Sequence, residues 1–198
     1  VLAYLNAYGF KSLDVAVATH PDADHIGGMV PVLEAVPVRQ FVDAGYPHTT
    51  GTYENMLATI DRLDIPYRTP IRGDTLAWDP AVRVAVLNPP ETFHDGTNEI
   101  SVVLRVSYGA VDVLLMGDAE SAVEREIADE AIDSEILKVA HHGSASSTSE
   151  AFLGRVTPEV SIISVGSGNP FGHPAAETIR RLEQTGSAIY RTDQDGTI

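Results

Sequence analysis

The sequence predicts a mixed α/β fold, and three observations carry that prediction. Apolar runs of strand length alternate with segments whose apolar residues recur at helical spacing, along all 198 residues. Proline and glycine stand between them as stops. No segment is of low complexity or internally repeated, which excludes a solenoid. Residues 13–19 (LDVAVAT) form a short run with β-branched residues and read as a buried strand. Ile26, Met29, Val30 and Leu33 then recur at helical spacing, with Pro31 tolerable in a first turn. A strand is expected at Val38–Val42, then a helix at Tyr53–Leu63 with Met56, Leu57, Ile60 and Leu63 on one face. Val82–Leu87 reads as a strand stopped by Pro89-Pro90. Ile100–Val106 and Val111–Met116 read as a hairpin turning through Tyr108-Gly109-Ala110. A helix is expected over Ala119–Ile132, through Val123, Ile127 and Ala131. Strands at Glu135–Ala140, Val160–Val165 and Ala188–Arg191 alternate with helices near Thr148–Val156 and Ala175–Gln184. A doubly wound sheet and a two-sheet sandwich covered by helices both fit this order. Composition does not shift along residues 1–198, so a single domain is expected.

The charge balance narrows the function classes. Asp and Glu number 28 against 13 Lys and Arg, a formal net charge of −15, and the lysines are Lys11 and Lys138. A general nucleic-acid coat or an anionic-membrane binder wants a basic face, so the balance argues against both. It does not argue against an enzyme that grips phosphate locally. Without cysteine there are no disulfides, thiolate ligands or thiol nucleophiles. No stretch of 18 apolar residues occurs and VLAYLNAYGF has no basic n-region, so no membrane insertion by this chain is expected.

Five of the seven histidines fall in three short clusters, each after an expected strand. His20-Pro21-Asp22-Ala23-Asp24-His25 sets four donor side chains in six residues, where a strand hands over to a helix. Imidazole and carboxylate are the donors that a borderline or hard divalent ion takes. The plainer reading has the aspartates capping the next helix. Asp118, closing the strand VDVLLM, would likewise cap a helix from Ala119. His141-His142-Gly143-Ser144 ends another strand, where adjacent side chains point to opposite sides and one histidine reaches any given metal. Asn169-Pro170-Phe171-Gly172-His173-Pro174 follows the strand VSIISVG. All four loops follow strands and all offer nitrogen or oxygen donors, which favours a metal site over four coincidences. Ser147 with Glu150 reads as a capping box rather than as a serine nucleophile. Arg62, Arg68, Arg72, Arg180, Arg181 and Arg191 read as solvated surface, and Tyr4, Tyr8, Phe41, Tyr46 and Trp78 as core or rim packing.

THPDADHIGG, Asn98 and Ser101 before VVLRV, LLMGD, LKVAHHGS, NPFGHP and YRTDQDGTI together resemble the metallo-β-lactamase superfamily. More narrowly, they are similar to the metallo-β-lactamase-like domain of ComEC-type DNA-uptake competence proteins and their free-standing relatives. The resemblance runs from about residue 1 to 198 and implies an αββα sandwich holding two divalent ions, Mn²⁺ or Zn²⁺. The superfamily's first motif is H-x-H-x-D-H, and Asp22 stands where its second histidine would be. The resemblance implies His20 and Asp22 on one metal, Asp24 and His25 on the other, Asp118 as the bridging aspartate and His173 as the last ligand. His141 is the candidate to complete the first site, with His142 beside it as support or proton donor. The separate histidine usual between the first motif and the bridging aspartate has no counterpart, since His48 and His94 sit in poor contexts. Family members usually open with a strand pair carrying Gly-Asp and then a Leu-Ile-Asp-x-Gly segment. Neither precedes the first motif here, so the domain is expected to lack its first N-terminal strands.

These residues imply a hydrolytic centre in which an activated hydroxide between two metals attacks an electrophile. Asp22 in place of a histidine hardens the first site and favours Mn²⁺ alongside Zn²⁺. Asp24, Asp118 and His142 are the expected catalytic residues, His142 protonating the leaving oxygen. Asn98, Ser144 and Asn169 are expected to hold a phosphate oxygen. The leading expectation is a phosphodiesterase, a DNA nuclease acting on single-stranded DNA beside a membrane channel domain of the same system. Its expected place is the outer face of the cell membrane or the secreted fraction. Two other classes are hydrolysis of another ester (phosphorylcholine ester, lactone or carboxylic ester) and a non-catalytic docking domain. The intact motifs speak against the last.

Overall fold

A computed structural model describes residues 1–92 and 96–198, so His94 lies outside the described residues. The chain divides into two compact units, Val1–Pro70 and Ile71–Ile198.

The first unit runs α1 (Leu2–Ala7), β1 (Ala16–Ala18), α2 (Ala23–Ile26), α3 (Met29–Ala35), β2 (Phe41–Asp43), α4 (Gly51–Arg62) and β3 (Tyr67–Arg68). Its three strands lie in the order β1-β2-β3 and are all parallel. Parallel neighbours need crossovers, which α2 with α3 and then α4 supply. The middle strand β2 is buried at every residue, and its Phe41 packs with Ile26, Leu33, Met56 and Ile60. Tyr53, Met56 and Ile60 form the inner face of α4, whereas the expected Leu63 lies past the helix end and is exposed. Pro31 falls in the first turn of α3, where its missing N–H costs nothing.

At the end of β2 the Asp43 carboxylate is buried, and its Oδ2 accepts from the hydroxyls of Tyr53 at 2.7 Å and Tyr67 at 2.6 Å. Burial first, then this carboxylate, pushes both phenols well above the ordinary tyrosine value. The carboxylate thereby ties β2 to α4 and to β3. Asp43→Ala is expected to destabilise the protein by about 2–3 kcal/mol, because two donors lose a charged acceptor. Tyr67→Phe is expected to cost less, about 1 kcal/mol. A urea midpoint unchanged in Asp43→Ala would remove this cluster from the forces holding the unit together.

The second unit runs β4 (Thr75–Asp79), β5 (Val82–Asn88), β6 (Val103–Tyr108), β7 (Val111–Leu115), α5 (Ser121–Glu126) and β8 (Ile136–Lys138). A 3₁₀ turn (Ala140–Gly143), α6 (Glu150–Val156), β9 (Val160–Ile163), α7 (Ala176–Thr185), β10 (Ala188–Arg191) and α8 (Thr192–Asp195) complete it. Among the described residues seven strands lie in the order β10-β9-β8-β7-β6-β5-β4. From β4 to β7 neighbours are antiparallel, and the expected hairpin closes with Tyr108 paired to Val111 across Gly109-Ala110. From β7 to β10 neighbours are parallel, with helices in the crossovers. Leu114, Leu137 and Ile163 sit in the core with Val123, Phe152 and Leu182 from those helices and Ile127 just past the end of α5. Because β7, β8 and β9 run the same way, the loops after them lie along one edge of the sheet, the edge where α/β sheets bind ligands. Asp118, then His141, His142 and Ser144, then Asn169 and His173 occupy those three loops. Asn98 precedes β6, which runs opposite to β7, and so reaches the same edge.

Three expectations change. The helix expected over Ala119–Ile132 is only Ser121–Glu126, followed by tight turns that still bury Ile127 and Ile132. Asp129, Glu130 and Asp133 would otherwise place negative charge at the helix's negative end. The Ser147 capping box does not form: Ser149 caps α6, its Oγ accepting from the Phe152 N–H at 3.3 Å. Ser147 is buried and its hydroxyl donates to the Ala140 carbonyl at 3.1 Å. Arg181 is not merely solvated, since its guanidinium donates to the carbonyls of Ala145, Ser147 and Thr148. Among the described residues no helix is long and apolar enough to cross a membrane.

Candidate functional site

In the first unit β1 ends at Ala18, and Thr19 opens the loop to α2. Asp22 stands at the N-cap position of α2 yet makes no side-chain capping bond, so the capping reading fails. The rings of His20 and His25 lie 4.1 Å apart. One hydroxyl serves both: Thr19 Oγ1 is 3.1 Å from His20 Nδ1 and 3.3 Å from His25 Nδ1. The opposite ring nitrogens face carboxylates, His20 Nε2 at 3.8 Å from Asp22 Oδ2 and His25 Nε2 at 3.8 Å from Asp24 Oδ2. An oxygen that accepts from Nδ1–H fixes the tautomer in which Nε2 presents its lone pair, the usual support of a metal-bound histidine.

In the second unit Asp118 does not cap a helix either, because α5 begins at Ser121 with Glu120 in the cap position. The Asp118 N–H donates to the buried Ser101 Oγ at 3.1 Å, which fixes the turn that aims its carboxylate. That carboxylate is buried, with His142 Nε2 at 3.4 Å and His141 Nε2 at 3.9 Å from its Oδ2. Again each Nδ1 is held by an oxygen. His142 Nδ1 lies 2.7 Å from the Ser164 carbonyl, and His141 Nδ1 lies 3.0 Å from Glu120 Oε1. Glu120 Oε1 also accepts from Asn98 Nδ2 at 3.1 Å, so Asn98 steadies the group that orients His141. Hydrogen bonding to Asp118, with the Ser164 carbonyl, holds the His142 imidazole above its ordinary value against burial. Burial and the neighbouring His141 and His142 hold His173 below its own, in the neutral form that binds metal.

The two adjacent histidines do not diverge as strand residues would. β8 ends at Lys138, and His141 (φ +46°), His142 (φ +52°) and Gly143 (φ +81°) follow one another in the left-handed region. This conformation costs a side-chain-bearing residue about 1–2 kcal/mol and turns both Nε2 atoms toward Asp118. Gly143 also permits a close approach. A Cβ there would stand 2.6 Å from Pro174 Cβ, and the Ala175 N–H donates to the Gly143 carbonyl at 2.9 Å. The loop after β9 thereby closes on the loop after β8, with the rings of His141 and His173 5.5 Å apart. Asn169 shapes that loop: its Oδ1 accepts from the N–H groups of Phe171 and His173, and its Nδ2 donates to the carbonyls of Gly166 and His173. Ser144 Oγ lies 2.8 Å from Ser146 Oγ.

The donor chemistry fits divalent ions. Two ligands ~2.1 Å from one tetrahedral ion stand about 3.4 Å apart, and Asp118 Oδ2 lies 3.4 Å from His142 Nε2 and 3.9 Å from His141 Nε2, so the spacing suits an ion shared between that carboxylate and either imidazole. Thr19, Glu120 and Ser164 are the positions that hold these imidazoles and that sequence reasoning passed over. Thr19 borders the first motif and Glu120 lies two residues after Asp118, but Ser164 acts through its backbone and leaves no signal. Thr19→Val is expected to weaken divalent-metal binding about 10–100-fold, with Thr19→Ser close to wild type. A chelator-competition titration measures this, and equal affinity in Thr19→Val would deny the hydroxyl its supporting role.

The family model described as the metallo-beta-lactamase superfamily matches residues 3–167. ComE operon protein 3 of Bacillus subtilis is 32% identical over 200 residues, covering 100% of this chain and 26% of that protein. Recombination protein 2 of Haemophilus influenzae is 33% identical over 198 residues, covering 100% of this chain and 23% of that protein. The chain thus spans about a quarter of the length of these curated relatives. The solved metallo-beta-lactamase fold protein YhfI from Bacillus subtilis is similar in fold, with TM-score 0.55 and 11% identity over 95% of this chain and 79% of that one.

Proposed function

The chain belongs to the metallo-beta-lactamase superfamily, and from that premise we propose that it is a metal-dependent phosphodiesterase that cleaves single-stranded DNA. The observation that carries this reading is the repeated pattern of imidazoles held at Nδ1 by an oxygen and facing a carboxylate at Nε2. His20, Asp22, Asp24, His25, Asp118, His141 and His173 are the proposed holders of two divalent ions, Mn²⁺ or Zn²⁺. Bound there, such ions supply an activated water and positive charge for the phosphate oxygens. Asp118 aims its carboxylate from a turn fixed by Ser101. His142, backed by the Ser164 carbonyl, delivers a proton to the leaving oxygen. Similarity along the whole chain to a protein named for recombination supports DNA as the substrate. The proposed setting is the outer face of the cell membrane, beside a channel domain of the same system.

The test is cleavage with Mn²⁺ or Zn²⁺ of single-stranded DNA, bis-p-nitrophenyl phosphate and a p-nitrophenyl carboxylic ester. Both phosphodiesters are expected to be cleaved and the carboxylic ester spared. Cleavage of the ester alone would move the reading to another hydrolase. Failure on every substrate, with Asp118→Ala binding DNA like its parent, would leave a docking domain.

A further inference from the structure

Phe171 is the residue that neither the metal chemistry nor the core accounts for. It is 77% exposed, and among the large apolar side chains described only the terminal Val1 exposes more. A lone exposed ring needs no explanation by itself. Its backbone, however, is held, and the ring lies against a neighbour: the Phe171 main-chain N–H donates to Asn169 Oδ1 at 3.1 Å, and the ring plane lies 21° from that of His173 with the centroids 6.0 Å apart. The same Asn169 oxygen accepts from the His173 main-chain N–H, so one side chain fixes the backbone that carries both rings. Tyr108, comparably exposed, sits instead at the β6–β7 hairpin tip, the opposite end of those strands from the ligand-bearing edge.

We propose that Phe171 is a stacking platform for a nucleobase of the single-stranded DNA substrate. The proposal rests on the phosphodiesterase reading and names what holds the strand beside the cleaved phosphate. The charge of the chain gives the reason. At −15 it gains little from general attraction to phosphate backbones. Stacking of an unpaired base on an aromatic face is independent of that charge and tolerant of sequence. A duplex keeps its bases stacked on one another, so a platform of this kind favours single strands.

The experiment measures binding of a fluorescein-labelled, cleavage-resistant phosphorothioate 12-nucleotide single strand and of the same strand made abasic, in the otherwise wild-type protein with Mn²⁺. Phe171→Ala is expected to weaken binding of the base-bearing strand on the order of 10-fold and to leave the abasic strand unaffected. Phe171→Trp is expected to restore affinity, and the ratio of parent to Phe171→Ala is expected to be the same at about 50 and about 200 mM salt. Metal content unchanged in Phe171→Ala shows that the loss does not pass through His173. Equal loss on both strands, or no loss on either, overturns the stacking role. If DNA cleavage by the wild type persists in that case, only this inference falls. If the parent binds neither strand and the wild type cleaves none, the phosphodiesterase reading falls with it.

Discussion

Asp118→Ala is expected to abolish DNA cleavage, lowering kcat/KM by about a thousandfold or more while the chain stays folded. The magnitude follows from the several kcal/mol that correctly placed ions contribute to charge stabilisation, at 1.36 kcal/mol for each tenfold in rate. The carboxylate is buried and has both His141 Nε2 and His142 Nε2 within 4 Å of one oxygen. Its removal takes away the carboxylate oxygen that both Nε2 atoms face. The turn itself survives, because the bond to Ser101 comes from the Asp118 backbone N–H. Metal content by elemental analysis is expected to fall together with activity, and the thermal unfolding temperature is expected to hold. Asp118→Asn keeps the volume but not the charge, and is expected to be nearly as inactive. Activity within tenfold of wild type in Asp118→Ala would end the metal-centred reading. His141→Ala and His142→Ala then separate the two neighbours: loss of metal marks a ligand, and loss of rate at full metal content marks the proton donor.

What the sequence makes legible depends on how many residues a feature recruits. The hairpin of β6 and β7, the helix α7 and the strand β10 are found where periodicity and turn residues place them, because each repeats its signal over several positions. β3 is two residues long and shows no period. α1 buries only Leu5, so its apolar face is too thin to read. The donor side chains of the site are legible by type and by their place after strands. Their geometry is not. Nothing in HHGS except its glycine announces that His141 and His142 leave the strand for the left-handed region, which brings together two rings that a strand would separate. The role of Thr19 is hidden for a different reason, since a threonine at a strand end is ordinary until two imidazoles are found on its hydroxyl.

Gly143→Ala is expected to have the second-largest effect, because it strikes backbone and packing at once. At φ +81° a Cβ is strained by about 1–2 kcal/mol. It would also meet Pro174 Cβ at 2.6 Å and Pro174 Cα at 3.2 Å, atoms of a rigid ring and of the backbone that cannot swing aside. Overpacking of this kind costs about 1–3 kcal/mol more. A total destabilisation of roughly 2–5 kcal/mol should appear as a lowered urea midpoint. The functional effect is separate. Pushing the loop after β9 outward carries His173 away from His141, and a displacement of about 1 Å at such a site costs on the order of 100-fold in rate. Pro174→Gly removes the nearest of the clashing atoms and leaves the φ strain. The double variant is therefore expected to be more stable than the two single effects added together, since the residues are in contact. Strict additivity would mean that the close approach of these loops is not what this glycine serves, and that only its backbone conformation matters.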